Sequence, residues 1–174
     1  MKKLRVLQFG ARELREKAAP VSVFNKNIHA IIDDMAYTLK VRGDGAALAA
    51  NQVGVLKRIV VIDTQGQYYE LVNPEIVERS GAQYEIEGCL SLDGFQGKVP
   101  RSLNVKVRYR DRNGEEREIE AEGYMAKCLQ HEIDHLDGIL YIDRMTEGSV
   151  WNPDTGAELG VEEARLLSRS FAKA

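Results

Sequence analysis

Apolar positions recur at helical spacing in the first quarter of the chain. Between positions 28 and 39 they are three or four residues apart, so they fall on one face of a helix. This pattern predicts an amphipathic helix over roughly 25–41, capped by Asn25 or Asn27 and ended by the glycine-rich stretch Gly43–Gly45. The apolar positions are Ile28, Ile31, Ile32, Met35 and Leu39.

The middle of the chain has short β-branched and alternating runs, separated by turn residues. The run Arg58–Asp63 predicts a buried strand, and Tyr68–Asn73 predicts its hairpin partner across a turn at Gly66. Alternation at Asn104–Arg110 and, more weakly, at Glu116–Ala121 predicts a second hairpin joined by a DRNG turn. Because strands and helices are segregated along the chain, we predict an α+β fold with antiparallel strands.

The last third of the chain predicts two more helices. These are Tyr124–His135 and a terminal amphipathic helix at about Val161–Lys173, with a loop predicted at 149–160, where turn formers surround the single tryptophan. A packing helix at the end of the chain is favoured over a docking element, and help in reaching ribosomes is a minor hypothesis. We expect Leu166, Leu167 and Phe171 on its buried face, and Arg165, Arg169 and Lys173 on its outer face.

Composition limits the class of protein. A chain of 174 residues predicts one compact domain over 1–174, with a C-terminal loop and helix at 146–174. A net charge of −3 gives no reason to expect a nucleic-acid partner, and no apolar segment is long enough to span a membrane. Two cysteines are too few for a disulfide framework, and no signal peptide is credible, so we expect a soluble protein in the cytoplasm.

Two of the three histidines stand four residues apart in the stretch QHEIDHLDG, Gln130–Gly138. Residues at this spacing share one helix face, so His131 and His135 can present two imidazole nitrogens to one cation. Glu132 can reach a water bound to that cation, and this HExxH arrangement is typical of catalytic metal sites. On this stretch alone, two surface histidines that happen to share a helix face stay an open alternative.

A catalytic site of this kind needs a third protein ligand. The metzincin pattern requires a third histidine at the position of Tyr141, so that class is excluded. Cys128 shares the histidine face but lies about 10 Å along the helix axis from His135, which favours a wall or core role. Cys89 follows Gly88 in EGCLSL and is the favoured third ligand. Nothing in the surrounding sequence marks the remaining residues as ligands, namely His29, Glu158, Glu162 and Glu163.

A third notable stretch is GAALAANQVG, Gly45–Gly54. Small residues at this density allow a ligand or another element to approach the backbone closely. Gln52 near its end carries an amide that can donate a hydrogen bond. Taken alone, the stretch is better interpreted as a tight helix-packing segment.

Together the three stretches resemble the peptide deformylase family. That family carries GxGLAAxQ, EGCLS and QHExDHL in this order, and here they are GAALAANQ at 45–52, EGCLS at 87–91 and QHEIDHL at 130–136. The LVNP and VPR segments at 71–74 and 99–101 are also similar to the family. The resemblance covers roughly residues 1–145.

The resemblance implies an α+β fold with antiparallel sheets packed around a central HExxH-bearing helix, and a C-terminal helix. It implies removal of the N-formyl group from the initiator N-formylmethionine of newly made polypeptides, through a metal-bound water. It also implies one divalent metal, natively Fe²⁺, with Zn²⁺, Ni²⁺ or Co²⁺ in a purified sample. The implied roles are metal binding for Cys89, His131 and His135, general acid/base catalysis for Glu132, and oxyanion stabilisation for Gln52 and the backbone N–H of Leu90.

The chain departs from the family pattern beside the expected substrate path. Ala47 replaces the second glycine of the first motif, Ala46 replaces a bulky apolar residue, and Asp93 replaces a proline. We expect a wider methionine pocket at Ala46. If the substrate pairs along this strand, the methyl group of Ala47 lies beside the peptide backbone, or it is harmless if it points into the core. The residues expected to contact the substrate are Gly45, Ala46, Ala47, Gly88 and Cys128.

Two other functions are compatible with part of the sequence. An HExxH metallopeptidase would cleave internal peptide bonds. This sequence lacks the third histidine of such a site, and a metallopeptidase would have no need of the EGCLS motif. A non-catalytic module with a structural metal would close its site with four protein ligands, and no fourth candidate has suitable spacing.

Overall fold

The computed structural model describes residues 1–171, which form four helices and nine strands, with two short 3₁₀ helices at Arg12–Arg15 and Ala50–Val53. The helices are α1 (Lys26–Arg42), α2 (Gly123–Leu136), α3 (Tyr141–Arg144) and α4 (Val161–Ser168). The strands are β1 (Ala47–Ala49), β2 (Ile59–Thr64), β3 (Gln67–Ser80), β4 (Gln83–Cys89), β5 (Leu92–Arg101), β6 (Asn104–Arg110), β7 (Glu116–Glu122), β8 (Ser149–Trp151) and β9 (Glu158–Gly160).

The strands form two antiparallel sheets beside α2. One sheet has the order β1-β2-β3-β6-β7, and the other has the order β4-β5-β8-β9. The apolar face of α2 packs on the five-stranded sheet through Met125, Leu129 and Ile133, in a core shared with Val60 and Val107. The predicted α+β fold, with antiparallel sheets around this helix and a helix near the C-terminus, is confirmed.

Helix α1 agrees with its sequence pattern. The side chain of Asn25, and not that of Asn27, caps its start by accepting hydrogen bonds from the N–H groups of Asn27 and Ile28 at 3.0 and 3.2 Å. Gly43 ends the helix with a positive φ of 71°, which favours glycine. Its buried apolar face packs on β2, so local spacing and capping are sufficient to define this element.

The sheets are larger than predicted. β3 continues to Ser80, beyond its predicted end at Asn73, because its second half pairs with β6 across two irregularities. β4 and β5 were not predicted, since β4 is largely polar and β5 contains two glycines and a proline. They pair over most of their length across a tight turn at Leu90 and Ser91. Long-range pairing, and not local propensity, therefore defines these strands.

The predicted loop at 149–160 is wrong. Strands β8 and β9 pair there as a hairpin, and β8 joins the smaller sheet where Trp151 pairs with Gln96. The turn between them is held by the side chain of Asn152, which accepts hydrogen bonds from the N–H groups of Asp154 and Thr155. This hairpin brings the C-terminal part of the chain to the edge of the cavity described below.

Helix α4 ends at Ser168, and the predicted burial of Leu166 and Leu167 is wrong. These side chains are 72% and 44% exposed, while Val161, Ala164 and Ser168 are buried. Arg165, predicted on the outer face, donates to the carbonyl oxygens of Ile142 and Met145. Small residues on the inner face allow α4 to approach α3 closely. Phe171 is half-buried, and Lys173 lies outside the described residues.

Candidate metal centre

Three residues with metal-binding side chains converge where β4 ends against α2. The α-helical repeat places His131 and His135 on one face, and Cys89 at the end of β4 reaches both. One ligand-type atom from each of the three lies within 4.8 Å of the others, and the Sγ of Cys89 is 3.4 Å from Nε2 of His135. Both histidines are buried. A thiol and two imidazoles at this spacing suit one divalent transition-metal ion.

Glu87 orients the first histidine of the cluster. Alternation along β4 places Glu87 and Cys89 on the same side of the strand. Oε2 of Glu87 lies 2.8 Å from Nδ1 of His131, which leaves Nε2 of that ring available to a cation. Burial alone would raise the pKa of Glu87, but His131 and Arg101 lower it to about 2, so this carboxylate is ionised at neutral pH.

Arg101 extends this contact into a buried charge network. Its side chain is 3% exposed and donates to both carboxylate oxygens of Glu87, at 2.8 and 3.0 Å, and to Asp134. Asp134 also accepts two hydrogen bonds from Arg144, at 2.8 and 3.0 Å. Two cations and two anions thus neutralise one another beside the cluster. A buried charge in such a network is costly to leave unpaired.

The motifs did not predict a role for this network. Glu87 and Asp134 lie inside two of the motifs, and Arg101 ends the VPR segment. The available signal was that Glu87 and Asp134 are charged residues inside the motifs but are not needed as metal ligands. The partners could not be assigned from the sequence, because Glu87 and Arg101 are 14 residues apart and lie on different strands.

Glu132 lies beside the cluster and faces the cavity. Its side chain is buried, and Oε2 has no hydrogen-bond partner within residues 1–171. Burial raises the pKa of this carboxyl group to about 7. A group with such a pKa can both accept and return a proton near neutral pH.

Gln52 and the turn after Cys89 supply hydrogen-bond donors around the sulfur. Oε1 of Gln52 accepts from the N–H of Ala49 at 2.9 Å, which fixes the orientation of the amide. Nε2 then donates to Oγ of Ser91 at 3.2 Å and lies 3.6 Å from Sγ of Cys89. The N–H of Ser91 also points to that sulfur, at 3.4 Å. These contacts fix the position of the Cys89 sulfur at the end of β4.

A cavity of about 450 Å³ opens beside the cluster. Of the residues predicted to act in catalysis or metal binding, all except His135 line it, and His135 lies behind Cys89. All five predicted substrate contacts line it as well, namely Gly45, Ala46, Ala47, Gly88 and Cys128. Lining residues that sequence analysis missed include Ile86, Phe95, Tyr124, Pro153 and Asp154.

The glycine-rich stretch is not itself an α-helix, but it packs against α2, as the small residues predicted. It forms β1 and a single 3₁₀ turn that carries Gln52 into the site. A Cβ atom at Gly45 would lie 2.7 Å from Cδ1 of Leu90, so a side chain there would displace the leucine that follows the cluster cysteine. Ala46 is half-buried at the cavity, whereas Ala47 is 7% exposed and belongs to the core shared with α2.

Two edge strands border the cavity. β1 ends the order of the five-stranded sheet, and β4 ends the order of the four-stranded sheet. Edge strands carry backbone N–H and C=O groups that can pair with an additional extended chain. The arrangement therefore suits a peptide lying between β1 and β4, with one end near the cluster.

The cluster of Cys89, His131 and His135 beside the buried Glu132 is typical of a metal-dependent hydrolase. The chain matches the model of the polypeptide deformylase family over residues 3–151. It is 52% identical over 139 residues to a peptide deformylase of Thermoanaerobacter pseudethanolicus, covering 80% of this chain and 87% of that relative. A peptide deformylase of Symbiobacterium thermophilum is 45% identical over 173 residues, which cover 98% of this chain and 79% of that relative.

Solved structures agree with these relatives. The crystal structure of the peptide deformylase from Thermotoga maritima has a TM-score of 0.81 and 39% identity, covering 84% of this chain and 99% of that one. That of the Legionella pneumophila peptide deformylase has a TM-score of 0.80 and 36% identity, covering 97% and 92%. The chain therefore belongs to the polypeptide deformylase family, metallohydrolases that remove the N-formyl group from nascent polypeptides.

No helix in the part of the chain that the structure describes is long and apolar enough to cross a membrane.

Proposed function

We propose that this protein hydrolyses the formamide bond of N-formylmethionyl nascent polypeptides and releases formate. The observation that carries the proposal is the meeting of Cys89, His131 and His135 beside the buried carboxylate of Glu132, at one end of the cavity. We also propose that the chain acts as one catalytic domain over residues 1–174. Because nascent chains are made in the cytoplasm, we propose that compartment as its place of action.

Cys89, His131 and His135 would hold one divalent metal ion, natively Fe²⁺, with Zn²⁺, Ni²⁺ or Co²⁺ as substitutes. The donor set supports a transition metal over Mg²⁺ or Ca²⁺, since thiolate and imidazole are poor ligands for the latter ions. When bound, such an ion supplies a Lewis acid and lowers the pKa of water. Glu87 contributes by holding His131 in the tautomer that leaves Nε2 available.

Glu132 would move the protons of the reaction. Hydrolysis of an amide needs a base that takes a proton from water and an acid that gives one to the leaving amine. A single carboxyl group can perform both steps in turn if its pKa lies near the working pH. The pKa of about 7 supports this role for Glu132, as does the absence of a partner for Oε2 among residues 1–171.

Gln52 and the backbone N–H of Leu90 would stabilise the negative charge that develops on the formyl oxygen. The Gln52 amide is held in place by Ala49, so little reorganisation is needed when the charge forms. Removing one such donor costs on the order of 100-fold or more in turnover. Leu90 is suited to this role because it directly follows Cys89 in the turn that borders the cavity.

The methionine side chain would occupy the cavity, and the peptide backbone would lie between β1 and β4. Gly45, Ala47 and Gly88 would line the path of that backbone, while Ala46 and Cys128 would form part of the side-chain pocket. Ile86 and Tyr124 complete its apolar wall. Association with the ribosome stays a prediction, and sedimentation of the purified protein with ribosomes would test it.

The test is an amine-release assay on formyl-Met-Ala-Ser, using protein loaded separately with Fe²⁺, Ni²⁺, Co²⁺ or Zn²⁺. We expect one new amino group and one formate per formylated peptide. We expect no reaction with unformylated peptides and no cleavage of internal peptide bonds. Comparison of kcat/KM among the metal forms tests the proposal of Fe²⁺. Cleavage of internal bonds, or no formate release in any metal form, would contradict the proposed function.

A further inference from the structure

The N-terminal segment Leu7–Phe9 lies against both chain segments that carry the proposed oxyanion donors. The N–H of Leu7 donates to the carbonyl oxygen of Gln52 at 2.8 Å, and the N–H of Phe9 donates to that of Ser91 at 2.8 Å. One short segment thus bridges the two. Gln8 stands between these two residues.

The side chain of Gln8 uses both ends of its amide on the loop after Cys89. Nε2 donates to the carbonyl oxygen of Leu90 at 2.9 Å, and Oε1 accepts from the N–H of Asp93 at 3.3 Å. Asp93 lies in the irregular part of the β4–β5 ladder, between the pairs Cys89–Leu92 and Gly88–Gln96. Although Gln8 is exposed at the surface, its amide binds two backbone groups of one loop.

These contacts hold one peptide unit from two opposite edges. The carbonyl oxygen of Leu90 and the N–H of Ser91 belong to the same planar peptide group. Gln8 binds the oxygen, and the Sγ of Cys89 accepts from the N–H at 3.4 Å. Rotation of this plane would break both contacts. The plane is joined at the Cα of Leu90 to the preceding peptide group, which carries the N–H of Leu90, so fixing the one restricts the movement of the other.

We infer that Gln8 is a positioning residue for the oxyanion-stabilising N–H of Leu90. This inference rests on the proposed deformylase function and on the role proposed there for Leu90. Gln8 does not line the cavity, so it acts through the loop and not on the substrate. Because a hydrogen bond at the surface contributes little to stability, its loss should change turnover more than it changes unfolding.

The test compares two substitutions of Gln8 with a matched control. Gln8→Met removes both hydrogen bonds at similar side-chain length, and Gln8→Glu keeps only the acceptor for Asp93. The control is Gln83→Met at the other end of β4, where Nε2 of Gln83 donates to the carbonyl oxygens of Ser102 and Gly123, both at 3.0 Å. The three variants and the wild type are assayed on formyl-Met-Ala-Ser, with bound metal and Tm measured on the same preparations.

We expect kcat to fall about tenfold in both Gln8 variants, less than the roughly 100-fold cost of losing an oxyanion donor outright. KM should stay within about twofold and metal content should be unchanged, since Gln8 lies outside both the cavity lining and the metal-binding cluster. Gln83→Met should keep the wild-type kcat even if its Tm falls further.

Several results would overturn the inference. A kcat within about twofold of wild type in Gln8→Met would show that the loop keeps its geometry without the amide. Metal loss in that variant would place the effect on Cys89, and an equal fall of kcat in Gln83→Met would make it a general effect on stability. Failure of the wild type to release formate would instead overturn the proposed function, and the role of Gln8 with it.

Discussion

Oε2 of Glu87 lies 2.8 Å from Nδ1 of His131, and this contact ties the metal-binding cluster to a buried network of charges. Through Arg101 the network continues to Asp134 on the same helix as both histidines. The smaller sheet and α2 are thus joined by ionic hydrogen bonds at the point where Cys89 must meet the histidines. The site is consequently braced by this contact between the smaller sheet and α2.

Glu87→Gln should weaken metal binding by about 10- to 100-fold, the usual cost of losing an outer partner of a ligating histidine. Folding stability should also fall, by about 3–5 kcal/mol, because the change leaves Arg101 buried with one anionic partner fewer. Chelator competition and urea unfolding measure the two effects. Glu85→Gln, two residues earlier on the same strand and exposed, is the control. Wild-type metal affinity in Glu87→Gln would show that His131 needs no carboxylate partner.

Glu132→Gln should keep the metal but reduce kcat by about 10²–10⁴-fold. The amide fills nearly the same volume but cannot exchange the proton, while the three metal-binding side chains remain. Metal analysis and kinetics on one preparation check this prediction. Near-normal turnover in the substituted protein would remove Glu132 from the acid/base role.

Cys89→Ser should lose metal far more readily than Cys128→Ser. The Sγ of Cys89 lies 3.4 Å from His135, whereas Cys128 is outside the three-residue cluster and burial raises its pKa, which disfavours a thiolate. We expect affinity about 100-fold weaker or more for Cys89→Ser, exceeding the typical cost of an outer partner. Competition with a coloured chelator gives both constants. Equal losses in the two variants would reverse the ligand assignment.

Ala46→Ile should narrow the side-chain pocket and sharpen selection at the formylated residue. Ala46 is half-buried at the cavity wall, and three added carbon atoms there would fill space next to the substrate side chain. A difference of a few methylene groups changes discrimination by about 1–3 kcal/mol. The measurement is kcat/KM for formyl-Met, formyl-norleucine and formyl-Phe peptides in both proteins. Unchanged ratios among these substrates would show that Ala46 does not shape the pocket.

Glu70 should stabilise the fold at neutral pH and lose this effect in acid. Burial would raise its pKa, but hydrogen bonds from Arg112 and Tyr68 lower it below the ordinary value of 4.5. Because the folded-state pKa is the lower one, the stabilisation is present above pH 4.5 and disappears as pH falls through the folded-state value. Glu70→Gln should therefore be less stable than wild type at pH 7, by about 1 kcal/mol or less, with the difference shrinking below pH 4.5.

Urea unfolding of both proteins at pH 7 and at pH 3 measures this difference. Glu75→Gln on the same strand, where the side chain is exposed, is the control. A difference between Glu70→Gln and wild type that is the same at both pH values would contradict the assignment of the ion pair with Arg112.

Several features followed from the sequence by itself, and each depends on residues close together in the chain. The start of α1 at Asn25, its apolar face and the hairpin of β6 and β7 are set by helical or alternating spacing and by local capping and turn residues. The pairing of His131 with His135 is of the same kind, because four residues make about one helical turn. The motifs then identified the family, including Cys89 as a ligand candidate.

Tertiary structure decided the rest, because the contacts involved join distant segments. The approach of Cys89 to His135 spans 46 positions, and the ion pair of Arg101 with Asp134 spans 33. The hairpin of β8 and β9 depends on β5, and the exposure of Leu166 depends on the small residues by which α4 meets α3. Local preferences cannot specify such partners. Bringing two distant segments together costs conformational entropy, and each contact becomes favourable only when other interactions of the fold offset that cost.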